Sequence, residues 1–371
     1  MALPSTCPTA DARPRSFRKL RSKFFEEFYA GFSKILFCRL GRARVSPDVA
    51  IRMDTLPARP YPSGMTTDRI LPGVTLMLAF CVLAPLLDVS SKLAAATIPV
   101  GQITGARFVV QAALMLPVAM LMGLPLRLDR RMTGFIFLRA VFLILSTYTF
   151  VAGIAVMPVA DALAIAFVEP FIVLILGRFL FGDQIGPRRI AACVVGFGGA
   201  LMVIQPSLAA FGTIALYPLG TAFFFAFYML ITRFMSQSMH PVTMQLHTSL
   251  AGSAICVPAL WLLNGSGLPT LDAVPPQGIA WLWLFGVGFW AALSHICMTY
   301  ALKFAPTSTL APLHYLEIVA AVALGYLVFN DFPNAMTWAG IAVIVSSGLY
   351  IIYREHRVAR DAARAIAAPT H

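Results

Sequence analysis

The chain has few charged residues and no arrangement of histidines typical of a metal site. Charged residues make up 12% of its 371 residues and hydrophobic residues make up 59%. The mean hydropathy is +0.79. Because an ordinary soluble domain has about 25% charged residues, this composition excludes a typical soluble domain and predicts an integral membrane protein.

Motifs for covalent, metal or nucleotide chemistry are also missing. The histidines form no HExxH pattern, and the sequence has no GxSxG or Walker motif. The six cysteines are scattered singly with no paired spacing, so we expect them to be small packing residues: Cys7, Cys38, Cys81, Cys193, Cys256 and Cys297. We therefore predict no cofactor, no metal and no enzymatic activity, with a membrane enzyme, scaffold or receptor as the remote alternative.

The positive charge is concentrated before the apolar part of the chain. Residues 1–64 hold 12 Lys/Arg against 5 Asp/Glu, and the remainder holds 16 against 11. Beside a membrane domain, such a segment is expected to be a solvated cytoplasmic extension near lipid, and we predict no nucleic-acid partner. Lys34 and Arg39 interrupt its best apolar stretch, which argues against a signal peptide. The alternative is that translation starts at Met65 and residues 1–64 are not translated.

Apolar runs of about 20 residues, long enough to cross the bilayer as helices, recur from Ile70 to Tyr353. We predict ten spans, near 70–92, 99–122, 134–157, 161–181, 189–205, 212–233, 243–263, 278–301, 308–329 and 336–353. Basic residues fall on alternate connections and in the tail, residues 354–371. By the positive-inside rule both termini are cytoplasmic, in a multi-pass protein of the bacterial inner membrane.

The segment AFVEPFIVLILGRFLFGD, which carries Glu169, has a second copy in HYLEIVAAVALGYLVFND, which carries Glu317. An ungapped offset of 148 residues aligns the two glutamates, Asp183 with Asp331, and Pro158 with Pro306. The two copies predict an internal repeat of five helices. Because five is odd, the second copy enters the membrane from the opposite side. We therefore expect an all-α membrane protein of ten transmembrane helices in two inverted five-helix repeats, an architecture typical of transporters.

Two features of each repeat resemble the EamA-type drug/metabolite transporters. Each repeat has a small-residue fourth helix that ends in an acidic turn, Gly182-Asp183 and Asn330-Asp331, followed by a Gly/Ala-rich fifth helix. The family pattern usually has Gly-Glu at this turn, so the sequence departs from it while keeping the charge. The resemblance covers about residues 70–353 and implies two EamA-like repeats, residues 65–205 and 206–353.

The stretch APLHYLEIVAAVALGYLVFNDFP is most similar to bacterial riboflavin importers of this family. The resemblance implies a secondary transporter or facilitator that takes up riboflavin, and the inverted repeat implies alternating access. The sequence leaves open a monomer and a homodimer. Transporters of S-adenosylmethionine or amino acids, and exporters of metabolites or drugs, have similar helices and are alternatives.

Glu169 and Glu317 are the first candidates for the transport site. Each lies about 11–13 Å inside its predicted span, where an ionisable residue is expensive and is usually functional or paired. The repeat relates the two, and the resemblance implies that the fourth and ninth spans line a central cavity. They either bind substrate or a coupling proton, or are neutralised by a neighbouring cation and fix packing. Pro170 predicts an irregular helix beside Glu169.

Arg107 and Arg139 are candidate partners of these glutamates. Arg107 is either a counter-ion to Glu169 or Glu317 or a substrate contact, because an arginine in mid-span must face protein or water. Asp88 and Lys92 are spaced i, i+4 on the first span, so we expect a structural ion pair between them.

Several aromatic and histidine side chains on the predicted cavity helices complete the candidates. A flavin needs flat rings to stack on, and the candidate rings are Tyr148, Phe150, Tyr228, Tyr300 and Tyr315. His295 and His314 could titrate near neutral pH, but we rank them behind the glutamates because a lone helix histidine more often serves packing.

Overall fold

The structure is a computed structural model that describes residues 70–157, 159–181, 186–204, 212–329 and 335–367. Three predicted features lie outside the described residues: the N-terminal extension 1–64, Pro158, and the acidic turns Gly182-Asp183 and Asn330-Asp331. Within the described ranges all regular secondary structure is helical, which confirms the all-α class.

Six helices form the first half of the described chain: α1 Ile70–Ala95, α2 Val100–Leu121, α3 Arg130–Val156, α4 Val159–Ala166, α5 Glu169–Phe181 and α6 Pro187–Ile204. Six more follow a short 3₁₀ turn at Gly212–Ala215: α7 Leu216–Met235, α8 Pro241–Leu263, α9 Ala280–Phe304, α10 Thr307–His314, α11 Glu317–Phe329 and α12 Ala335–Ala367. Pro241 is the first residue of α8, where its fixed φ suits the helix and its missing N–H costs nothing.

Seven helical segments in the described part are long and apolar enough to cross a membrane. They are Ile70–Ala95, Val100–Leu121, Arg130–Val156, Gly212–Met235, Pro241–Leu263, Ala280–Phe304 and Thr307–Val328. The predicted spans near 161–181, 189–205 and 336–353 are helical but are not among these seven. The fourth span is divided between α4 and α5, and α12 has a shorter apolar part, Trp338–Arg354, before it continues into the charged tail.

Two predicted spans are broken at equivalent places. The turn at Phe167–Val168 separates α4 from α5, and the turn at Tyr315–Leu316 separates α10 from α11. These are the two helix breaks. The irregularity predicted beside Glu169 is thereby confirmed, since Pro170 cannot donate a backbone hydrogen bond across the first break. The second break has no proline at the matching position, which is Ile318, so proline alone does not explain the pair.

The two halves pack chiefly against each other, and the contacts are reciprocal. The most extensive contacts join α1 to α9 and, reciprocally, α7 to α3. They also join the equivalent helices α2 and α8, and the equivalent helices α6 and α12. Glycine permits two of the close approaches: a Cβ at Gly288 of α9 would lie 2.3 Å from Val110 of α2, and one at Gly252 of α8 would lie 2.4 Å from Phe108. Small residues at such crossings are how membrane helices approach closely without a hydrophobic driving force.

Candidate substrate cavity

A cavity of about 740 Å³ lies between the two halves. This volume includes the space where the cavity opens to the outside. Five helices and the two helix breaks line it: α1, α2, α3, α7 and α9, and the breaks with the residues that flank them. The lining residues are Phe80, Ala84, Leu87, Asp88, Ser91, Arg107, Ser146, Thr147, Phe150, Val151, Leu163, Ala166, Phe167, Glu169, Thr221, Ala222, Phe225, His295, His314 and Glu317.

The structure brings Glu169 and Glu317 together on one histidine. His314 Nδ1 lies 2.9 Å from Glu169 Oε2, and His314 Nε2 lies 3.0 Å from Glu317 Oε2. All three residues are buried, with 3%, 6% and 5% of Glu169, Glu317 and His314 exposed. We call this group the Glu169–His314–Glu317 bridge. It gives each glutamate a hydrogen-bonded partner, and it leaves Glu169 Oε1 buried with no hydrogen-bond partner among the described residues.

The helix breaks place the bridge on the cavity. Glu169 is the first residue of α5 and Glu317 is the first residue of α11, so each carboxylate stands at a helix N-terminus, where unpaired N–H groups favour negative charge. The Tyr315 hydroxyl, in the second break, donates to the carbonyl of Phe167 in the first at 3.2 Å. That bond satisfies a carbonyl at a point where the helix is interrupted, as buried backbone in a membrane requires.

Arg107 faces the cavity but is not the counter-ion of either glutamate. Its guanidinium donates to Thr147 Oγ1 and to His295 Nε2, the latter at 2.6 Å. Because a guanidinium only donates, His295 Nε2 is an acceptor and carries no proton in this contact. His295 Nδ1 then holds the ring proton and donates to the Tyr228 hydroxyl at 2.9 Å. Among the described residues Arg107 has no carboxylate within ion-pair distance.

Arg139 is fully buried behind the cavity wall rather than on it. It donates to Thr232, Thr248, Tyr228 and Gln245, with Nε 2.8 Å from Thr232 Oγ1 and Nη2 2.7 Å from the Tyr228 hydroxyl. Its guanidinium carbon also lies 4.4 Å from the centre of the Tyr228 ring, a cation–π contact. Tyr228 therefore links Arg139, through His295, to Arg107 on the cavity wall.

The ion pair expected between Asp88 and Lys92 is not formed, and this prediction is wrong. Lys92 Nζ instead donates to the carbonyls of Ile154 and Met157, the latter at 3.2 Å, at the C-terminal end of α3. The last carbonyls of a helix have no intrahelical partner and attract a cation. Asp88 is left on the cavity wall, 9% exposed and without a hydrogen bond to any described residue.

The four candidate tyrosines lie off the cavity lining. Tyr148 donates to Thr270 Oγ1 at 3.0 Å, outside the cavity. Tyr228 and Tyr315 are fully buried and hold Arg139 and the first helix break. Tyr300 contacts His240, away from the cavity lining. Phe150, the fifth candidate ring, lines the cavity.

Three phenylalanines that line the cavity were not singled out from the sequence. The Phe80 ring centre is 5.3 Å from that of His314, and Phe225 packs 5.9 Å from His295. Phe167 lies in the first helix break, 6.1 Å from His314. With 28 phenylalanines in the chain, composition cannot distinguish those that face the cavity from those that face lipid. The only available signal was that Phe167 lies two residues before Glu169.

Within the described ranges, no group of three His, Cys, Asp or Glu residues is placed to hold a metal ion.

The chain belongs to the EamA-like transporter family. The family matches residues 71–205 and 212–354, and this match confirms the resemblance seen in the repeated helices. With seven apolar helical segments in the described part, the protein is a multi-pass membrane protein whose family consists of transporters.

Curated relatives carry several different names. A riboflavin transporter of Rhizobium johnstonii is 29% identical over 232 residues, covering 61% of this chain and 72% of the relative. An S-adenosylmethionine uptake transporter of Rickettsia bellii is 27% identical over 223 residues, covering 59% and 72%. The pseudopaline exporter CntI of Pseudomonas aeruginosa is 25% identical over 284 residues, covering 76% and 96%.

A solved crystal structure has the same fold. It superposes with a TM-score of 0.63 at 19% sequence identity, covering 78% of this chain and 98% of the solved chain.

Proposed function

We propose that this protein is a secondary transporter or facilitator with ten crossings of the bacterial inner membrane, built from two inverted repeats at residues 65–205 and 206–353, with both termini cytoplasmic. The reciprocal packing of the halves supports this architecture. Alternating access follows from it, because two inverted halves can exchange conformations and open the central cavity to either side.

Equivalent hydrogen bonds in the two halves support the repeat further. Lys92 at the end of α1 donates to the carbonyls of Ile154 and Met157. Arg233 at the end of α7 donates to the carbonyls of Leu302 and Ala305, which follow those two acceptors at the same offset of 148 residues. Each half thus uses a cation from its first helix to cap its third.

Riboflavin uptake is the function that the cavity supports best. The observation that carries it is that four phenylalanine rings and three polar side chains with free hydrogen-bonding atoms line the same cavity. The rings are Phe80, Phe150, Phe167 and Phe225, and the polar side chains are Glu169, Asp88 and Arg107. A flavin is a flat, largely apolar ring system with an imide edge that both donates and accepts hydrogen bonds. Rings can stack on its faces while a carboxylate accepts from the imide N–H and Arg107 donates to an imide carbonyl.

A second candidate substrate is a zwitterion with an amino-acid group, such as S-adenosylmethionine. Asp88 and Arg107 carry opposite charges, line one cavity and have no ion-pair partner among the described residues. An ammonium at Asp88 and a carboxylate at Arg107 would satisfy both charges.

The test is uptake of radiolabelled riboflavin by bacteria that cannot synthesise it, with and without this gene, in competition with unlabelled riboflavin or S-adenosylmethionine. We expect unlabelled riboflavin to reduce the uptake of labelled riboflavin and S-adenosylmethionine to leave it unchanged. Uptake of labelled S-adenosylmethionine without riboflavin uptake would establish the second candidate. Failure of both, at a confirmed level in the membrane, would contradict the proposal.

A further inference from the structure

We propose that the Glu169–His314–Glu317 bridge is a binding site for a single proton, which joins the two halves of the protein and couples substrate movement to the proton gradient. The proposal rests on the transport function proposed above and adds the ion that drives it.

The number of hydrogen atoms that the bridge needs indicates that it holds an extra proton. Both ring nitrogens of His314 lie within hydrogen-bond distance of a carboxylate oxygen, at 2.9 and 3.0 Å. A neutral imidazole has one N–H, and an ionised carboxylate has no donor. Two hydrogen bonds therefore need one proton more than a neutral histidine and two carboxylates supply. The proton sits on the ring or on one carboxyl group, and in either form the bridge carries one negative charge.

Loss of this proton opens the bridge. A ring nitrogen without hydrogen would present its lone pair to a carboxylate oxygen about 3 Å away in a buried site, where two facing acceptors repel each other. The two acceptors must then separate. The shared proton is what holds the contact closed.

The bridge joins the two halves, so that its opening changes the conformation. Glu169 begins α5 in the first half, whereas His314 ends α10 and Glu317 begins α11 in the second. The contact between His314 Nδ1 and Glu169 Oε2 therefore ties one half to the other beside the cavity. Glu169 Oε1 has no hydrogen-bond partner among the described residues, so a substrate donor can bind the same carboxylate that holds the proton.

The other titratable and charged groups around the bridge have partners of their own or stand apart from His314. They are Asp88 and Cys81 on α1, Arg107 on α2, Cys193 and Arg189 on α6, Tyr228 on α7, His295 on α9 and Tyr315 in the second helix break. Cys81 donates to the Leu313 carbonyl, and Tyr315 donates to Phe167. Within the described part of the chain, the two glutamates are the ion-pair partners of the His314 ring.

Glu169→Gln separates proton binding from packing. The glutamine amide can donate to an unprotonated His314 Nδ1 while Nε2–H donates to Glu317, so both hydrogen bonds form without the extra proton. Asp129→Asn is the matched control, because Asp129 is exposed at the start of α3 and makes no side-chain cap bond.

The first measurement needs no substrate. Full-length protein with ¹⁵N-labelled histidine in lipid bilayers is titrated from about pH 5 to 11 by NMR, with His314 assigned from His314→Asn, and the carboxyl band is followed by infrared spectroscopy. We expect one titration step that removes one proton from the bridge in the wild type and in Asp129→Asn, and no such step in Glu169→Gln. A wild-type bridge with no step in this range overturns the proposal.

The second measurement is riboflavin transport in proteoliposomes with a gradient of one pH unit, applied in either direction at zero potential. Coupling to one proton predicts about tenfold accumulation in one direction for the wild type and Asp129→Asn. Glu169→Gln should reach a ratio of about one, and it should also exchange riboflavin more slowly than the wild type because Glu169 contacts the substrate as well as the proton. A wild type that exchanges without accumulating, or a variant that accumulates like the wild type, overturns the coupling.

The two proposals fail in different ways. A titration step in a protein that does not move riboflavin would reject the substrate and keep the proton site. Riboflavin exchange without a titration step would keep the function and reject the proton site.

Discussion

Removing the Tyr228 hydroxyl tests how the buried arginines are supported. In Tyr228→Phe the ring remains, so its packing against Phe225 and its position over Arg139 are kept. The hydroxyl is the acceptor for Arg139 at 2.7 Å and the partner of His295 Nδ1 at 2.9 Å, and both contacts are lost.

The two losses are unequal, because Arg139 keeps three other acceptors. They are Thr232, Thr248 and Gln245. His295 has no other partner for Nδ1 among the described residues, and a buried donor without a partner costs about 1–3 kcal/mol. We therefore expect the variant to be less stable by about 1–3 kcal/mol. At about 2–4 °C per kcal/mol, its unfolding midpoint should fall by about 2–12 °C.

The assay uses thermal unfolding of purified protein in detergent, followed with a thiol-reactive fluorescent dye. The buried free cysteines Cys81, Cys193 and Cys256 become reactive when the protein unfolds. Tyr300→Phe is the matched control, since its hydroxyl is 3.5 Å from His240 Nε2 and forms at most a weak bond. The reasoning is refuted if Tyr228→Phe unfolds within about 1 °C of the wild type, or no earlier than Tyr300→Phe.

Two further predictions concern packing and helix caps. Gly288→Ala should lower the amount of protein in the membrane and destabilise the fold by about 1–3 kcal/mol, because its Cβ would lie 2.3 Å from Val110. Gly198→Ala is the control, since its Cβ would meet open space and the variant should behave as the wild type. Equal unfolding midpoints of the two variants in the same dye assay would contradict the packing. Arg233→Met should destabilise more than Lys92→Met, since Arg233 is fully buried while Lys92 is only partly so, and the reverse order of midpoints would contradict the proposed capping roles.

Parts of the site could be predicted from the sequence because they follow from patterns along one segment. The repeat paired Glu169 with Glu317, and Pro170 indicated the first helix break. Both glutamates are buried on the cavity wall, although their role in transport remains a prediction.

Other parts depend on contacts between distant segments, which no local pattern encodes. His314 was ranked behind the glutamates, yet it bonds to Glu169, 145 residues away in the chain. The i, i+4 spacing of Asp88 and Lys92 suggested an ion pair, but the carbonyls at the end of α3 attract the lysine instead. The tyrosines were placed on suitable helices, and which way each ring faces is decided by packing between the halves.

Hydropathy also locates helices better than it locates their ends. Helix α1 runs three residues beyond the predicted span 70–92, and α12 continues to Ala367 through residues that are charged. A helix ends where its backbone hydrogen bonds end, whereas hydropathy reports where the apolar side chains end.

The most direct test of the central claim is riboflavin uptake by cells that express the wild type, Ala84→Trp or Val82→Trp. Ala84 lines the cavity, whereas Val82, on the same helix, is 57% exposed on the outer surface. At equal levels of folded protein in the membrane, we expect uptake with the wild type and Val82→Trp and none with Ala84→Trp, whose indole would project into the cavity and take space that the substrate needs. Undiminished uptake with Ala84→Trp, or no uptake with the wild type, would contradict the claim that this cavity carries riboflavin.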